Sequence, residues 1–248
     1  MQSLKSGSEV IHFDDRGPRE DFAIVFLNSL GTDFRVWDKL LDVLGDRFRT
    51  VRMDKRGHGL STNYKNDISI ESLAKDVTVL LDSLNLNNIC VVGLSIGGLI
   101  ALELIRQRPN LCNKLILSDT APKIGSKDMW ANRIKRVQDG GIEAISDDIL
   151  ARWFSSAFLK DNVDELQMWR SMLTRTTKAG YIGCCDAISR CDLTEQAKLI
   201  NIPTLVIVGD EDGSTPINVV KDGAKLIDGS IFKIIKKAGH LPCVEQPN

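Results

Sequence analysis

The sequence lacks several features that would place it in a specialised class of protein. Its 33 acidic and 32 basic side chains nearly cancel, and the formal net charge is −1. With no excess of positive charge and no basic run, the chain has no general attraction for nucleic acid or for an anionic membrane surface. No apolar stretch reaches the ~18 residues that suggest a membrane span. We therefore expect no nucleic-acid partner and no membrane partner.

Signals for export, disulfides and metal sites are also missing. The first seven residues are mostly polar and contain no apolar core of the kind that a signal peptide needs. The six cysteines form no CxxC pair and no spacing typical of zinc ligands. We expect reduced thiols in a soluble cytoplasmic protein, because disulfides follow the redox compartment. The cluster of Cys184, Cys185 and Cys191 is the one candidate for redox behaviour.

What the chain does contain is an alternation of apolar runs and helical patterns. Its 248 residues, 43% of them hydrophobic, suffice for one large α/β domain or for one domain with an insertion. Strands are predicted at residues 23–27, 49–54, 88–93, 114–118, 204–209 and 231–235, and helices at 70–84, 96–108 and 217–227. Near-continuous Val, Ile and Leu runs are typical of parallel strands buried on both faces. The pattern predicts an α/β fold, with a mostly parallel central sheet and helices on both faces, preceded by a hairpin at residues 9–17.

Residues 122–192 interrupt this alternation. They contain no clear β run and carry three of the chain's four tryptophans, Trp130, Trp153 and Trp169. We interpret this segment as an inserted helical cap that covers something apolar, with residues 1–121 and 193–248 as the core. The plainer interpretation, in which each tryptophan only packs the insertion against the core, stays open.

The motif with the clearest chemistry is Gly93-Leu94-Ser95-Ile96-Gly97-Gly98, between a predicted strand and a predicted helix. G-x-S-x-G in that context is the nucleophile elbow of α/β-hydrolases: a sharp turn strains the serine backbone and lifts its hydroxyl clear of the sheet. The helix N-terminus behind it offers free N–H groups to a developing anion. We predict that Ser95 is the nucleophile. The alternative is a Gly/Ser turn without a catalytic role.

A serine nucleophile needs a base, and the chain has three histidines, His12, His58 and His240. In α/β-hydrolases the chain order is serine, acid, histidine. His240 alone follows Ser95, so we predict that it is the base. For His58 we favour a structural role in the loop that it shares with Arg56.

The acid that orients the histidine is expected after a strand that lies between the serine and the histidine in the sequence. Asp210, Glu211 and Asp212 compete for this role. Asp212 opens a D-x-x-T-P pattern that similar hydrolases show at this point, so we predict Asp212, with Asp210 as the alternative. A calcium loop is excluded, because the glycine and glutamate that such a loop requires at its sixth and twelfth positions are missing.

An oxyanion hole requires two N–H donors. The residue after the nucleophile supplies one, here the backbone of Ile96, and the loop after the first parallel strand supplies the other. For the second donor we predict the backbone N–H of Leu30. Many hydrolases carry His-Gly where this chain has Asn28-Ser29. The alternative for this loop is an ordinary glycine-containing turn.

Several segments resemble 3-oxoadipate enol-lactonases, a group within the α/β-hydrolase family. They are residues 27–38, 54–61, 93–98, 118–125, 152–154 and 183–187, so the resemblance covers nearly the whole chain. It implies an α/β-hydrolase fold and opening of the lactone ring of 3-oxoadipate enol-lactone to 3-oxoadipate, a step of the β-ketoadipate pathway of aromatic degradation. An acyl-enzyme formed on serine would carry the reaction, and no metal or organic cofactor is expected.

Such a substrate carries a carboxylate, for which a cap arginine is a natural partner because guanidinium binds carboxylates with two parallel hydrogen bonds. We predict Arg133 in this role, with Trp130 and Trp153 as apolar walls. Arg133 as a solvated helix residue stays open, and Arg136, Arg152 and Arg190 are the alternatives.

Two other functions are compatible with the same residues. A general carboxylesterase, or a cofactor-free haloperoxidase or perhydrolase, would use the same triad. A ligand-binding receptor on the same fold is a less favoured hypothesis, because an intact triad argues against it although fold alone does not decide function.

Overall fold

The structure of the protein, a computed structural model, describes residues 1–19, 22–63 and 68–248. Within these ranges the strands are β1 (Gln2–Ser6), β2 (Glu9–Arg16), β3 (Phe22–Leu27), β4 (Arg49–Met53), β5 (Asn88–Leu94), β6 (Cys112–Ser118), β7 (Thr204–Gly209) and β8 (Ile231–Ile235). The helices are α1 (Asp38–Leu44), α2 (Ile70–Ser83), α3 (Ile96–Gln107), α4 (Lys127–Gly140), α5 (Glu143–Trp153), α6 (Ser156–Asp161), α7 (Val163–Thr174), α8 (Lys178–Arg190), α9 (Thr194–Ala197), α10 (Ile217–Ala224) and α11 (Pro242–Glu245). No helix in this part of the chain is both long and apolar enough to cross a membrane.

The described strands form one sheet of eight, in the order β1-β2-β4-β3-β5-β6-β7-β8. β2 is antiparallel to both β1 and β4, and every other pairing is parallel. The mostly parallel sheet that we expected is therefore confirmed. Parallel strands end at the same edge of a sheet, so the loops after β3, β5, β6, β7 and β8 gather on one side, where ligands bind in such folds.

The sheet is covered on both faces at its centre. Every residue of β5 after Asn88 is buried, which is the pattern of a strand with layers packed on each side. In α3, the ten residues from Ile96 to Ile105 are all buried, so this helix is enclosed on every side rather than amphipathic. The buried apolar residues of the sheet and of α4 to α8 belong to one continuous hydrophobic cluster.

Two expectations need correction. Residues 9–16 form one strand, β2, and the hairpin partner is β1, with the turn at Gly7, which adopts a φ of +61°. β8 lies at the sheet edge, and its residues Ile231 and Ile234 are 57% and 39% exposed, so it is not buried on both faces. An apolar run alone does not distinguish an edge strand from a central one.

The segment between β6 and β7 contains the helices α4 to α9 and no strand. This helical insertion, taken here as α4 to α8, is bound to the core through its own buried side chains and through loops at the ends of the parallel strands. The division of the chain into a core and a cap at residues 122–192 stays a prediction.

Candidate active site

Ser95 occupies the turn between β5 and α3. Its backbone adopts φ 57° and ψ −119°, a conformation that costs free energy for a residue with a side chain. Surrounding bonds hold it there: Ser95 N donates to the Ser118 carbonyl at 3.0 Å, and the Thr120 hydroxyl donates to the Ser95 carbonyl at 2.7 Å. The strain is therefore supported by β6 and by the loop that follows it.

The glycines of the elbow are needed for close packing. A Cβ atom at Gly97 would lie 2.0 Å from the Leu27 carbonyl oxygen, and one at Gly93 would lie 2.5 Å from the Gly97 carbonyl oxygen. Either atom would push the elbow away from β3 or from its own helix. The spacing of the motif thus reflects contact distances rather than flexibility.

His240 lies after β8 and meets Asp212, which lies after β7. Its Nδ1 atom is 3.0 Å from each carboxylate oxygen of Asp212, and both side chains are buried. The backbone N–H groups of Ser214 and Thr215 donate to Asp212 Oδ1 at 2.7 and 3.0 Å, which fixes the carboxylate. This arrangement leaves Nε2 as the imidazole atom available for proton transfer.

A second buried carboxyl group lies beside this pair. Asp119 follows β6 at φ 50°, and its oxygens accept hydrogen bonds from Gly209 N at 2.9 Å and from the Ser118 hydroxyl at 2.5 Å. Burial and the nearby Asp212 raise the pKa of Asp119 well above its usual value. Burial also acts to raise the pKa of Asp212, but His240 and the bonds from Thr215 outweigh it and lower that pKa. The geometry thus favours a protonated Asp119 beside an ionised Asp212.

Asp119, Asp212 and His240 form the one group in the described residues whose metal-binding atoms all lie within 4.8 Å of one another. Within this group, His240 Nδ1 and the Asp212 oxygens lie 3.0 Å apart and form a hydrogen bond. Since that bond already engages the Nδ1 nitrogen that a metal would need, the arrangement fits a proton relay better than a metal centre.

Ser95 and His240 line one cavity together with residues of the helical insertion. The other lining residues are Ser29, Leu30, Ile124, Met129, Trp130, Arg133, Ile149, Trp153, Tyr181, Ile188, Ser214 and Thr215. The two tryptophans are buried and present apolar surface, and Trp130 Nε1 donates to the Ile124 carbonyl at 2.7 Å. The cavity thus brings Ser95, His240 and Arg133 to one space, which seven apolar and seven polar or charged residues line.

Leu30 and Ile96, the predicted oxyanion-hole donors, lie in the loop after β3 and at the start of α3, respectively. Ile96 is the first residue of α3, so its N–H has no partner within the helix. Leu30 lies in the loop after β3, and its N–H has no backbone partner in the part of the chain that the structure describes. Leu30 lines the cavity with Ser95, and the assignment of both N–H groups to an oxyanion hole stays a prediction.

The alternatives to the predicted residues lie elsewhere. Asp210 accepts from Ala238 N at 3.3 Å and faces Lys236. Arg136 and Arg190 are each bound by an aspartate, at 2.7 and 2.8 Å. Arg152 lines a neighbouring pocket between α4 and α5, which Arg133 also reaches.

The remaining aromatic and histidine candidates also lie outside the cavity. Trp169 lines a separate surface groove beside α7. His12 contacts Asp54 at 2.8 Å, and His58 accepts a hydrogen bond from Gly31 N at 3.1 Å.

Some residues of the site were not predicted. Asp119 could have been suspected, because it is an acid directly after a strand that neighbours the nucleophile strand. Ser29, whose hydroxyl is 3.5 Å from His240 Nε2, and Tyr181, which lines the cavity from α8, carry no signal in the sequence. Their roles depend on how the insertion folds back over the sheet.

Comparison with known proteins gives a consistent picture. The family model described as the alpha/beta hydrolase fold matches residues 23–247. The chain is 31% identical to 3-oxoadipate enol-lactonase 2 of Acinetobacter baylyi, over 99% of this chain and 91% of that protein. It is 35% identical to 3-oxoadipate enol-lactonase 1 of the same organism, over 93% and 86%. The crystal structure of the enol-lactonase from Burkholderia xenovorans superimposes with a TM-score of 0.93 at 32% identity, covering 99% of this chain and 95% of that one.

Proposed function

The chain belongs to the alpha/beta hydrolase fold family, and on that premise we propose that it opens the ring of 3-oxoadipate enol-lactone with Ser95 as nucleophile. Membership and the enol-lactonase relatives make it a hydrolase of the kind that acts on esters. The observation that carries the finer proposal is the His240–Asp212 pair, bonded at 3.0 Å, in the same cavity as the strained Ser95. In the proposed mechanism, the serine, an oriented histidine base and two anion-binding N–H groups all act at the lactone carbonyl.

The reaction would proceed in two steps. Ser95 Oγ attacks the lactone carbonyl while His240 Nε2 takes its proton, and the Leu30 and Ile96 N–H groups stabilise the oxyanion. The ring C–O bond then breaks, and His240 protonates the departing enol oxygen, which later becomes a ketone. The opened product stays bound as an ester of Ser95. Water activated by His240 hydrolyses that ester and restores the serine.

Arg133 is proposed to bind the substrate carboxylate. It lies on α4, half-buried, with its guanidinium carbon 4.7 Å from the centroid of the Trp130 ring. In contrast to Arg136 and Arg190, it has no carboxylate partner among the residues that the structure describes. A guanidinium at the wall of a partly apolar cavity, without a carboxylate partner of its own, is suited to an anionic ligand. Trp130 and Trp153 would then form apolar walls around the ring.

The test compares a charged and a neutral substrate. Arg133→Ala should lower kcat/KM for the enol-lactone by roughly tenfold to a hundredfold, the value of a charge-assisted hydrogen bond, mainly through KM. Hydrolysis of p-nitrophenyl acetate should change little. Arg136→Ala is the matched control, because it removes an arginine from the same helix that is already paired with Asp148. Arg133→Lys should restore only part of the loss.

Two outcomes would contradict the proposal. Equal losses on both substrates would mean that Arg133 supports the helical insertion and does not bind substrate. Turnover of simple neutral esters that greatly exceeds turnover of the enol-lactone by the unmodified protein would favour a general carboxylesterase. Chromatographic identification of 3-oxoadipate as the product tests the place in the β-ketoadipate pathway.

A further inference from the structure

A buried lysine lies beneath the loop that follows β3. Lys55 is the second residue after β4 and is 4% exposed. Its Nζ donates to the Ser29 carbonyl at 2.5 Å and to the Thr32 carbonyl at 3.2 Å. No carboxylate in the described part of the chain lies within ion-pair distance of Nζ. Burying an ammonium without a direct counter-ion is costly, so the position calls for a functional reason.

The Ser29 carbonyl and the Leu30 N–H belong to the same peptide group. A positive charge at the oxygen end of a peptide draws electron density toward itself and makes the N–H at the other end a stronger donor. Leu30 N–H is the donor that the proposed mechanism assigns to the oxyanion, alongside Ile96. Lys55 therefore acts on the far end of a group that would contact the reacting atoms.

Resting on that proposed function, we infer that Lys55 is a positioning residue of the oxyanion hole, whose ammonium polarises the Ser29–Leu30 peptide and fixes its orientation. The stronger N–H dipole would stabilise the transition state more than the bound substrate, because negative charge develops on the substrate carbonyl oxygen only as the reaction proceeds. The effect should therefore appear in kcat rather than in KM. A positive charge placed behind the hole, and not in it, leaves the cavity free for the substrate.

Uncharged side chains also form hydrogen bonds that hold the loop after β3 in place. Asn28 Nδ2 donates to the Thr32 carbonyl at 2.5 Å, and His58 Nε2 accepts from Gly31 N at 3.1 Å. His58 Nδ1 lies 3.0 Å from the Arg56 carbonyl, which assigns the proton to Nδ1. Because none of these bonds involves Lys55, the charge of Lys55 and the shape of the loop can be separated by experiment.

The ammonium also titrates within an accessible range. Burial lowers the pKa of Lys55 to about 8, with Cys184, Asp54 and Asp33 opposing that shift. Of the other titratable neighbours, burial and Lys55 hold the pKa of His58 well below its usual value, and burial raises the pKa of Cys184 to about 11. Both stay neutral near pH 8. The charge behind the hole is thus present below this pH and is lost as the pH rises through it.

Infrared spectroscopy of the acyl-enzyme measures the polarisation directly. The unmodified protein is acylated on Ser95 with a slowly hydrolysed cinnamoyl ester that carries ¹³C at the carbonyl, and the carbonyl band is followed with pH. We expect the band to move to higher wavenumber as the pH rises through about 8, because the donor weakens when Lys55 loses its proton. In Lys55→Met the band should lie at the high-wavenumber position at every pH, with kcat lower by about tenfold, less than the loss of a whole donor.

Controls separate charge from structure. Asn28→Ala removes a bond to the same Thr32 carbonyl but keeps the ammonium, so it should retain the pH-dependent band shift. If Lys55→Met does not fold, Lys55→Gln and the titration of the unmodified protein still decide the question. A band that does not move with pH in the unmodified protein, or a Lys55→Met variant with unchanged kcat, would overturn the inference. Failure of the proposed function is a different result, namely that Ser95 forms no acyl-enzyme at all.

Discussion

At the scale of single residues, the site depends on side chains whose protonation is set by their neighbours. Asp212 is ionised because His240 and two backbone N–H groups favour its charged form, while Asp119 lies next to it with a raised pKa. Two like charges so close together would be costly, so the pair is stable with one proton between them. The two acids therefore have distinct roles, although both are close to His240.

The first prediction concerns the nucleophile. Ser95→Ala should leave the fold intact and lower kcat by roughly 10³-fold or more, because the remaining groups cannot form an acyl-enzyme. A fluorophosphonate probe should label the unmodified protein and leave the variant unlabelled, as judged by mass spectrometry. Labelling of Ser95→Ala at the unmodified rate would remove Ser95 from the mechanism.

The second prediction distinguishes the acids by activity. Asp212→Asn should lower kcat by about 10⁴-fold, the size of effect seen when a triad acid loses its charge. Asp119→Asn should keep activity within a few-fold, because an amide has nearly the shape of the protonated acid and, like it, carries no charge. Asp210 lies outside the cavity, so Asp210→Asn should lower kcat only slightly. If Asp119→Asn or Asp210→Asn is the more damaging change, the acid has been assigned to the wrong residue.

The third prediction concerns the pH dependence of stability. The pKa of Asp119 is raised in the native state, so this carboxyl group takes up a proton on folding. As the pH rises above about 4, the pKa of an aspartate in the unfolded chain, this proton uptake makes the native state progressively less stable relative to the unfolded state. Asp119→Asn removes this effect. In urea titrations, the free energy of unfolding of the variant should rise relative to that of the unmodified protein between about pH 4 and pH 7, by at most about 1.4 kcal/mol per pH unit. A difference that stays constant with pH would mean that Asp119 is ionised in the folded protein.

The residues of the site differ in how far the sequence could predict them. The sequence predicts roles for Ser95, Asp212 and His240 because each belongs to a local pattern in a required chain order, and these roles stay predictions. Asp119 and Lys55 were not assigned to the site, because their protonation depends on burial by segments distant in the chain. Lys55 meets Ser29 and Thr32 from the next strand along the sheet, a contact that no local pattern records.

At the scale of elements, the short helix α11 holds the histidine loop in place. Glu245 Oε1 accepts from Gly239 N at 2.7 Å, and Oε2 accepts from the Ser155 hydroxyl at 2.5 Å. His240 N in turn donates to the Trp153 carbonyl at the end of α5 at 2.8 Å. The loop that carries His240 is thus tied to the helical insertion by backbone and side-chain hydrogen bonds.

The fourth prediction follows from this tie. Glu245→Ala should lower the free energy of unfolding by about 2–4 kcal/mol, since buried donors lose a charged acceptor, and it should also lower kcat because His240 is less well placed. Urea unfolding and steady-state kinetics measure the two effects separately. Glu245→Gln keeps one carbonyl acceptor, so its unfolding free energy and its kcat should lie between those of the unmodified protein and those of Glu245→Ala. Lost stability with unchanged kcat would show that the tie supports the fold without placing the base.

Elements were predicted well where burial and length agreed. The predicted helices at 96–108 and 70–84 are observed as α3 and α2 within one residue of their ends, because apolar positions recur along them and a strand or loop bounds each one. The helix predicted to end at residue 227 ends at Ala224. The sequence does not predict β1, and it predicts a buried β8 where the structure has an exposed edge strand. Short strands at a sheet edge carry alternating or exposed residues whose partners are set by tertiary structure.

At the scale of the whole molecule, the sheet and the helical insertion share their hydrophobic core. Trp130, Trp153 and Leu173 of the insertion belong to the same buried cluster as Ile96 and Leu99 of α3. Gly31 illustrates how close the layers are, because a Cβ atom there would lie 2.5 Å from Leu173. The fold class predicted from strand and helix alternation is confirmed. The shared cluster agrees with the interpretation of the sequence in which the tryptophans pack the insertion against the core.

The last prediction tests whether the two parts open together. All six cysteines are free, and five are buried: Cys184 and Cys185 on α8, Cys90 and Cys112 on β5 and β6, and Cys243 on α11. A thiol-specific reagent should modify the half-buried Cys191 first, and the buried pairs on α8 and in the sheet should then react in a single slower phase, since a shared core opens cooperatively. Mass spectrometry of the labelled peptides along a urea series gives the opening free energy at each cysteine. If Cys184 and Cys185 react at markedly lower urea than Cys90 and Cys112, the insertion opens separately, and the shared cluster does not couple it to the sheet. Equal opening free energies would mean that the insertion, which carries Trp130 and Trp153, unfolds together with the sheet. A substitution at either tryptophan would then change the stability of the whole fold as well as substrate binding.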